Sequence, residues 1–168
     1  VAVENVSMGF IKSIEQKDAT EDLSSRAPGA AAGAGHPRKS SPRLVGFPYR
    51  GGYRYHVVLS AARETQPFRA PEWAHLAVQE LQSVAEGTNF ALDAYCVMPD
   101  HVHMLVAGDA ALDSSLAQFV HRYKQSLGFK FKRATSRQLW HRSYYDHVLR
   151  VDEPAIVHAT YIIANPVV

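Results

Sequence analysis

The sequence predicts an α+β fold, a single antiparallel sheet in βαββαβ order of the ferredoxin-like or RRM-like kind. Helices cover one face, and a further helix ends the chain. Three observations lead there. Apolar residues switch between a period of two and a period near 3.6 in alternating blocks from Val45 onward. Two apolar runs, Phe90 to Met98 and His101 to Val106, are separated only by Pro99-Asp100, which calls for an antiparallel hairpin. The blocks then follow in the order strand, helix, strand, strand, helix, strand.

Each block has its own signal. Tyr53 to Ala61 is rich in aromatic and β-branched residues and reads as the first strand. Pro71 suits the first helical position. Trp73, Leu76, Ala77, Leu81 and Val84 then share one face up to a closing Gly87. In the second strand Phe90, Leu92, Ala94, Cys96 and Met98 alternate with a more mixed face. Ser114 to about Arg133 is helical, with Leu116, Phe119, Val120, Tyr123 and Leu127 in step and Gly128 as a point of interruption. Trp140 to Arg150 returns to strand character, and Asp152 caps a last helix running to Ala164.

Residues 1–44 read differently. Ser24 to Pro42 holds glycines, prolines, serines and Ala30-Ala31-Ala32, with almost no large apolar residue. Such a segment cannot offset its chain entropy by burial, so a disordered tail is expected, followed by one domain over 45–168. The chain of 168 residues is 46% hydrophobic and 20% charged, the balance of a soluble globular protein. No apolar run is long enough to span a membrane, and the first ten residues lack a signal-peptide pattern. One cysteine, Cys96 within an apolar run, excludes an intramolecular disulfide framework and fits a reducing, cytoplasmic setting. The net charge of +2 identifies no partner by itself.

Three groups of residues carry chemistry. On a strand, His101 and His103 project from the same face, which makes half of a metal site. With nine histidines in the chain, however, that spacing is also ordinary. Tyr161 and Asn165 are one helical turn apart, so a phenol able to act as a nucleophile and an amide oxygen able to bind a metal share a face. An Asn-Pro pair is equally a common helix stop. Between Ser114 and Arg150 there are eight basic residues (Arg122, Lys124, Lys130, Lys132, Arg133, Arg137, Arg142, Arg150) against one acidic residue, Asp146. Aromatic residues including Tyr144 are interleaved with them, the composition of a surface for single-stranded nucleic acid or simply of a solvated helix.

The run Tyr95-Cys96-Val97-Met98-Pro99-Asp100-His101-Val102-His103-Met104-Leu105 resembles the HUH signature of the REP-associated tyrosine transposases, bacterial relatives of single-tyrosine insertion-sequence transposases. Trp140 to Arg150 (WHRSYYDHVLR) is similar to that family's second signature, and Tyr161 to Val167 (YIIANPV) to the segment holding its nucleophile. The three motifs stand in order across residues 47–168.

The resemblance implies an HUH transposase or nuclease domain in which His101, His103 and Asn165 bind Mg²⁺ or Mn²⁺. Tyr161, on a C-terminal catalytic helix, attacks single-stranded or hairpin DNA to give a 5′-phosphotyrosine. Arg122, Lys124, Lys130, Lys132, Arg133, Arg142, Tyr144 and Arg150 are the expected DNA contacts. A monomer or a homodimer is expected. The family runs on past the Asn-Pro segment, so the domain is expected to be truncated at its C-terminal end. Competing expectations are another HUH nuclease such as a plasmid replication initiator, an RRM-like binding module, and a metal-dependent hydrolase using water. The RRM stacking signature is absent, which counts against the binding module.

Overall fold

A computed structural model of the chain describes residues 44–63 and 65–164. The proposed tail over 1–44 and the end of the Asn-Pro segment therefore lie outside the described residues, apart from Leu44. Strands β1 (Arg54–Ser60), β2 (Phe90–Met98), β3 (His101–Gly108) and β4 (Tyr145–Val148) alternate with helices α1 (Pro71–Gly87) and α2 (Leu116–Thr135). A third helix, α3 (Ala155–Ala164), follows. The four strands pair antiparallel in the order β2-β3-β1-β4, and the single antiparallel sheet with βαββαβ chain order is the one expected from the sequence.

The sheet has two unlike faces because strand side chains alternate. On one face Tyr55, Val57 and Leu59 of β1 and Val102, Met104 and Val106 of β3 are almost wholly removed from solvent. They pack against Leu81 of α1 and Phe119, Tyr123 and Leu127 of α2 in one core. The buried Tyr123 hydroxyl donates to the Ala77 carbonyl at 3.0 Å and so ties α2 to α1. On the other face Ala94, Cys96 and Leu105 form a smaller core beneath Ala159 and Ile162 of α3. Cys96 is buried there as a free thiol.

Helix α2 is bounded at both ends by local chemistry. The Ser115 side chain accepts from the Gln118 amide at 3.4 Å at the start of α2. At its end Ser136 takes a left-handed conformation, with φ of 58°, and its amide donates to Lys132 O.

Four expectations need correction. Strand β2 does not keep one phase, because its register shifts between Leu92 and Ala94. Asp93 is the extra residue. Phe90 and Leu92 therefore face the large core, while Ala94, Cys96 and Met98 face the small one. Gly128 does not interrupt α2. A Cβ there would stand 3.3 Å from Cδ1 of Trp140, so the missing side chain admits the indole while the helix continues.

The strand expected over Trp140 to Arg150 shrinks to Tyr145–Val148, with an isolated bridge from Trp140 to Ala61. Between them the ammonium of Lys124 draws in the carbonyls of His141 and Arg142, at 2.8 and 3.0 Å. Asp152 lies in a turn ahead of α3, which begins at Ala155. Pro154 disfavours helical geometry in the residue before it, and Glu153 bonds backwards to β4 instead.

Ile162 is fully buried between α3 and the sheet. Ile162→Ala should cost about 2–5 kcal/mol of stability, read from urea unfolding, because a cavity replaces the helix's main apolar contact. A loss below about 1 kcal/mol would mean that α3 is not seated on the sheet as described.

Candidate active site on the histidine face of the sheet

Antiparallel register lines up the polar residues of the second face. Across β1 and its neighbours, His56 stands opposite Leu105 and His147, while Val58 stands opposite His103 and Tyr145. His103 in turn faces Cys96, and His101 faces Met98. All point toward α3 and away from α1 and α2.

Within this face the imidazoles form a connected run. Nε2 of His101 lies 2.9 Å from Nε2 of His103. Nδ1 of His103 lies 3.1 Å from Nε2 of His56. At the outer end Nδ1 of His101 lies 2.6 Å from the Asp100 carboxylate. His103 thus uses both ring nitrogens, one toward each neighbouring histidine. His103 and His56 are 8% and 9% exposed, and that burial resists their protonation. His103 is pushed down to about 3, by burial and then by His101 and His56. His56 is pushed down to about 4, by burial and then by His158 and His147. Both rings are neutral at pH 7, the form that carries a lone pair for a metal.

Helix α3 brings Tyr161 to this run. Its ring centroid lies 6.5 Å from that of His103 and 6.4 Å from that of His56, and the residue is 58% exposed. The position puts a phenol beside the histidines with its outer side open to solvent. Tyr145 also reaches this face, 6.3 Å from His56 ring to ring. Tyr144 packs against the large core on the opposite side. Asn165 lies outside the described residues, so its place in the site rests on the sequence alone.

Four further residues gather here that the sequence reading did not single out: His56, His147, Glu153 and His158. The last three bring their ligand atoms within 4.8 Å of one another, an arrangement compatible with a metal ion. Signals existed for the three histidines. His56 is the one polar interruption between Tyr55 and Leu59. His158 precedes Tyr161 by three residues and so shares its helical face. His147 sits inside the WHRSYYDHVLR run.

Much of the basic charge expected to contact DNA is not on this face. Lys124 and Lys132 of α2 and Arg142 line a cleft of about 460 Å³ with His121, Trp140 and Tyr144, on the side of the large core. Lys130 is paired with Glu80, and Arg122 donates to the Gly87 carbonyl at 3.0 Å. Arg133 lies exposed with its guanidinium 5.8 Å from the Phe129 ring centre. Arg150 is exposed at the turn leading to α3, where its amide donates to Glu153.

The model of the family described as "Transposase IS200 like" matches residues 50–165, more than half of the chain. That stretch contains the strand pair, the histidine run and Tyr161, and the chain belongs to this family. A protein of Haemophilus influenzae named as a candidate REP-associated tyrosine transposase is 30% identical over 88 residues. The match takes in 46% of this chain, which spans only half the length of that relative. Among solved structures, a REP-associated tyrosine transposase bound to a REP hairpin superposes with a TM-score of 0.58 at 20% identity. That likeness covers 76% of this chain and 73% of the other, and it supports the fold. A candidate transposase of Deinococcus radiodurans R1 has a TM-score of 0.49 at 24% identity, covering 74% of this chain and 97% of that one. No described helix is long and apolar enough to cross a membrane.

The buried neutral rings make a pH prediction. Unfolded histidines titrate near 6.5, while His56 and His103 titrate near 4 and 3 in the folded chain. Below pH 6.5 the unfolded chain therefore binds protons that the folded chain refuses, so stability is whole above that pH and falls as pH drops. The carboxyls of Glu80 and Glu153 are held below 4.5, so between pH 6.5 and 4.5 the histidines dominate. Each should contribute a slope of up to about 1.4 kcal/mol per pH unit. Urea midpoints of chelator-treated protein should decline across this window. A flat profile would show that the rings are charged or exposed.

Proposed function

We propose that this chain is a metal-dependent single-stranded DNA endonuclease and strand transferase of the REP-associated tyrosine transposase kind. It would cleave at hairpin-forming repeats through a covalent bond to Tyr161. The observation that carries this reading is the approach of the Tyr161 ring to His103 and His56, although Tyr161 is more than fifty residues from His103 in the chain. Family membership over residues 50–165 supports it, as does a structural neighbour whose bound partner is a REP hairpin.

The donor set fits a divalent cation. The Nε2 atoms of His101 and His103 converge at 2.9 Å, and a cation in place of the proton between them would use both lone pairs. Nδ1 of His103 would then carry the remaining proton and donate to Nε2 of His56. That contact orients the ring and fixes its tautomer. His101 is oriented in the same way by Asp100. Asn165, one turn beyond Tyr161, would be the third ligand. Mg²⁺ or Mn²⁺ held there would polarise the scissile phosphate and offset the charge that develops on it.

The protein's own residues supply the rest. The Tyr161 oxygen forms a bond to phosphorus as the bond to the 3′ oxygen breaks. The phenolic proton passes to solvent, and the departing oxygen is protonated, leaving a 5′-phosphotyrosine and a 3′-hydroxyl. A 3′-hydroxyl attacking in reverse rejoins strands without ATP, because the phosphodiester energy is kept in the tyrosine ester.

The basic cleft beside α2 and the histidine face lie on opposite sides of the sheet. A bound strand would pass around the β4 edge, where Tyr144 faces the cleft side and Tyr145 the histidines. Arg142 stands at that edge. In this reading the cleft and the exposed Lys132, Arg133 and Arg150 hold backbone phosphates, and the hydrogen-bonded Arg122, Lys124 and Lys130 shape the surface.

Incubating the chain with hairpin-bearing single-stranded oligonucleotides and Mn²⁺ should give a covalent adduct on a denaturing gel. Tyr161→Phe should abolish it while leaving binding within about threefold, since only the hydroxyl is lost. Tyr145→Phe should retain it. An adduct that survives Tyr161→Phe and maps to Tyr145 would move the nucleophile to β4.

Replacing both His101 and His103 by Ala should remove cleavage and spare most binding. Affinity itself should fall steeply with salt as phosphate contacts are screened. A flat salt response would remove the cleft from the binding surface.

A further inference from the structure

We propose that His147, Glu153 and His158 form a second cation site, separate from the His101–His103 pair. It takes a tetrahedral transition ion of the zinc type and clamps α3 to β4. The three residues come from three successive pieces of chain: the last strand, the turn after it, and the last helix. Their ligand atoms already lie within 4.8 Å of one another. The His147 and His158 rings stack with centroids 5.8 Å apart, and Nε2 of His147 lies 2.8 Å from Oε2 of Glu153.

Two imidazoles and one carboxylate, with a fourth position left to water, are the ligand set of many zinc sites. Borderline ions such as Zn²⁺, Co²⁺ and Ni²⁺ prefer it, whereas Mg²⁺ demands more oxygen donors. Tetrahedral bonds of about 2.0 Å set ligand atoms about 3.3 Å apart. Replacing the shared proton between His147 and Glu153 by an ion thus needs an opening of only about half an ångström.

The surroundings are suited to it. Oε2 of Glu153 also accepts from the Arg150 amide at 3.0 Å, which fixes the carboxylate from behind. The side chains of His147 and Glu153 are each about one-third exposed, enough for an ion to enter. His56 lies between the two sites, its ring 5.4 Å from that of His103 and 6.1 Å from that of His158.

The cation site does not depend on the DNA-cleaving reading. Its consequence for Tyr161 does rest on that reading: His158 is one turn before Tyr161, so an ion there would fix the rotation and height of the helix that carries the phenol.

Chelator-stripped full-length chain titrated with Co²⁺, followed by visible absorption, tests the site. The wild type should take two ions, and the His101→Ala/His103→Ala variant should still take one with the strong absorption of tetrahedral Co²⁺. In that background His158→Gln should weaken binding more than about 100-fold, beyond the range typical of losing only an orienting partner. Glu153→Gln should weaken it as well, and far-ultraviolet circular dichroism identifies either variant as folded. The proposal is overturned if the double alanine variant shows no tetrahedral absorption, or if folded His158→Gln and Glu153→Gln chains both bind as before. Failure of the earlier reading looks different: one ion in the wild type, unaffected by replacing His101 and His103.

Discussion

Strand β3 carries two incompatible jobs on one backbone, and the rest of the structure depends on keeping them apart. Val102, Met104 and Val106 belong to the large apolar core, and His101 and His103 to the opposite face. A slip of one residue would drive both imidazoles among the aliphatic side chains beneath α1 and α2 and lift three apolar residues out of them. Strands β1 and β2 on either side hold the register through antiparallel pairing, unbroken along β1 and, beside both histidines, along the Ala94–Met98 part of β2. The face on which the histidines stand is therefore a by-product of the force that forms the core, and the contacts with His56 and Asp100 have only to set the rotation of each ring.

That economy has a cost at His56 and His103. Burying an imidazole without a partner would be unfavourable by kilocalories, and each ring here is satisfied by another ring. A chain of neutral histidines works only if the protons are ordered, one nitrogen of each pair donating and the other accepting. The carboxylate of Asp100, beside His101 at the outer end, helps to choose that order. Helix α3 then lies over a surface that is apolar at Ala94, Cys96 and Leu105 and polar at the histidines. It accordingly carries Ala159 and Ile162 next to His158 and Tyr161.

Much of this was legible in the sequence. Strands β2 and β3 and helix α1 could be read almost to the residue, because Pro71, Gly87 and the Pro99-Asp100 turn mark their ends and the apolar periods are strong. That the adjacent Tyr144 and Tyr145 face opposite sides of the sheet follows from strand alternation alone, though not which side each takes. What could not be read depended on contacts distant in sequence. The short β4 results from Lys124 capturing two carbonyls from the loop, and the unbroken α2 from Trp140 occupying the space at Gly128. His56, His147 and His158 are single histidines in three separate elements, and only the fold brings them together. The basic residues between Ser114 and Arg150 read as one surface, yet the fold places much of their charge on the side of the sheet away from His103.

The extra residue at Asp93 has a further effect at the rim of the molecule. Strand β2 is one outer strand of the sheet and β4 is the other. A long, flat outer strand invites a foreign chain to continue the hydrogen-bond ladder. Here one rim is bent by the irregularity beside Asp93, and the other offers only the four residues Tyr145–Val148. Neither gives an incoming strand a long template, so the sheet resists being extended by a second copy or by a partly unfolded neighbour.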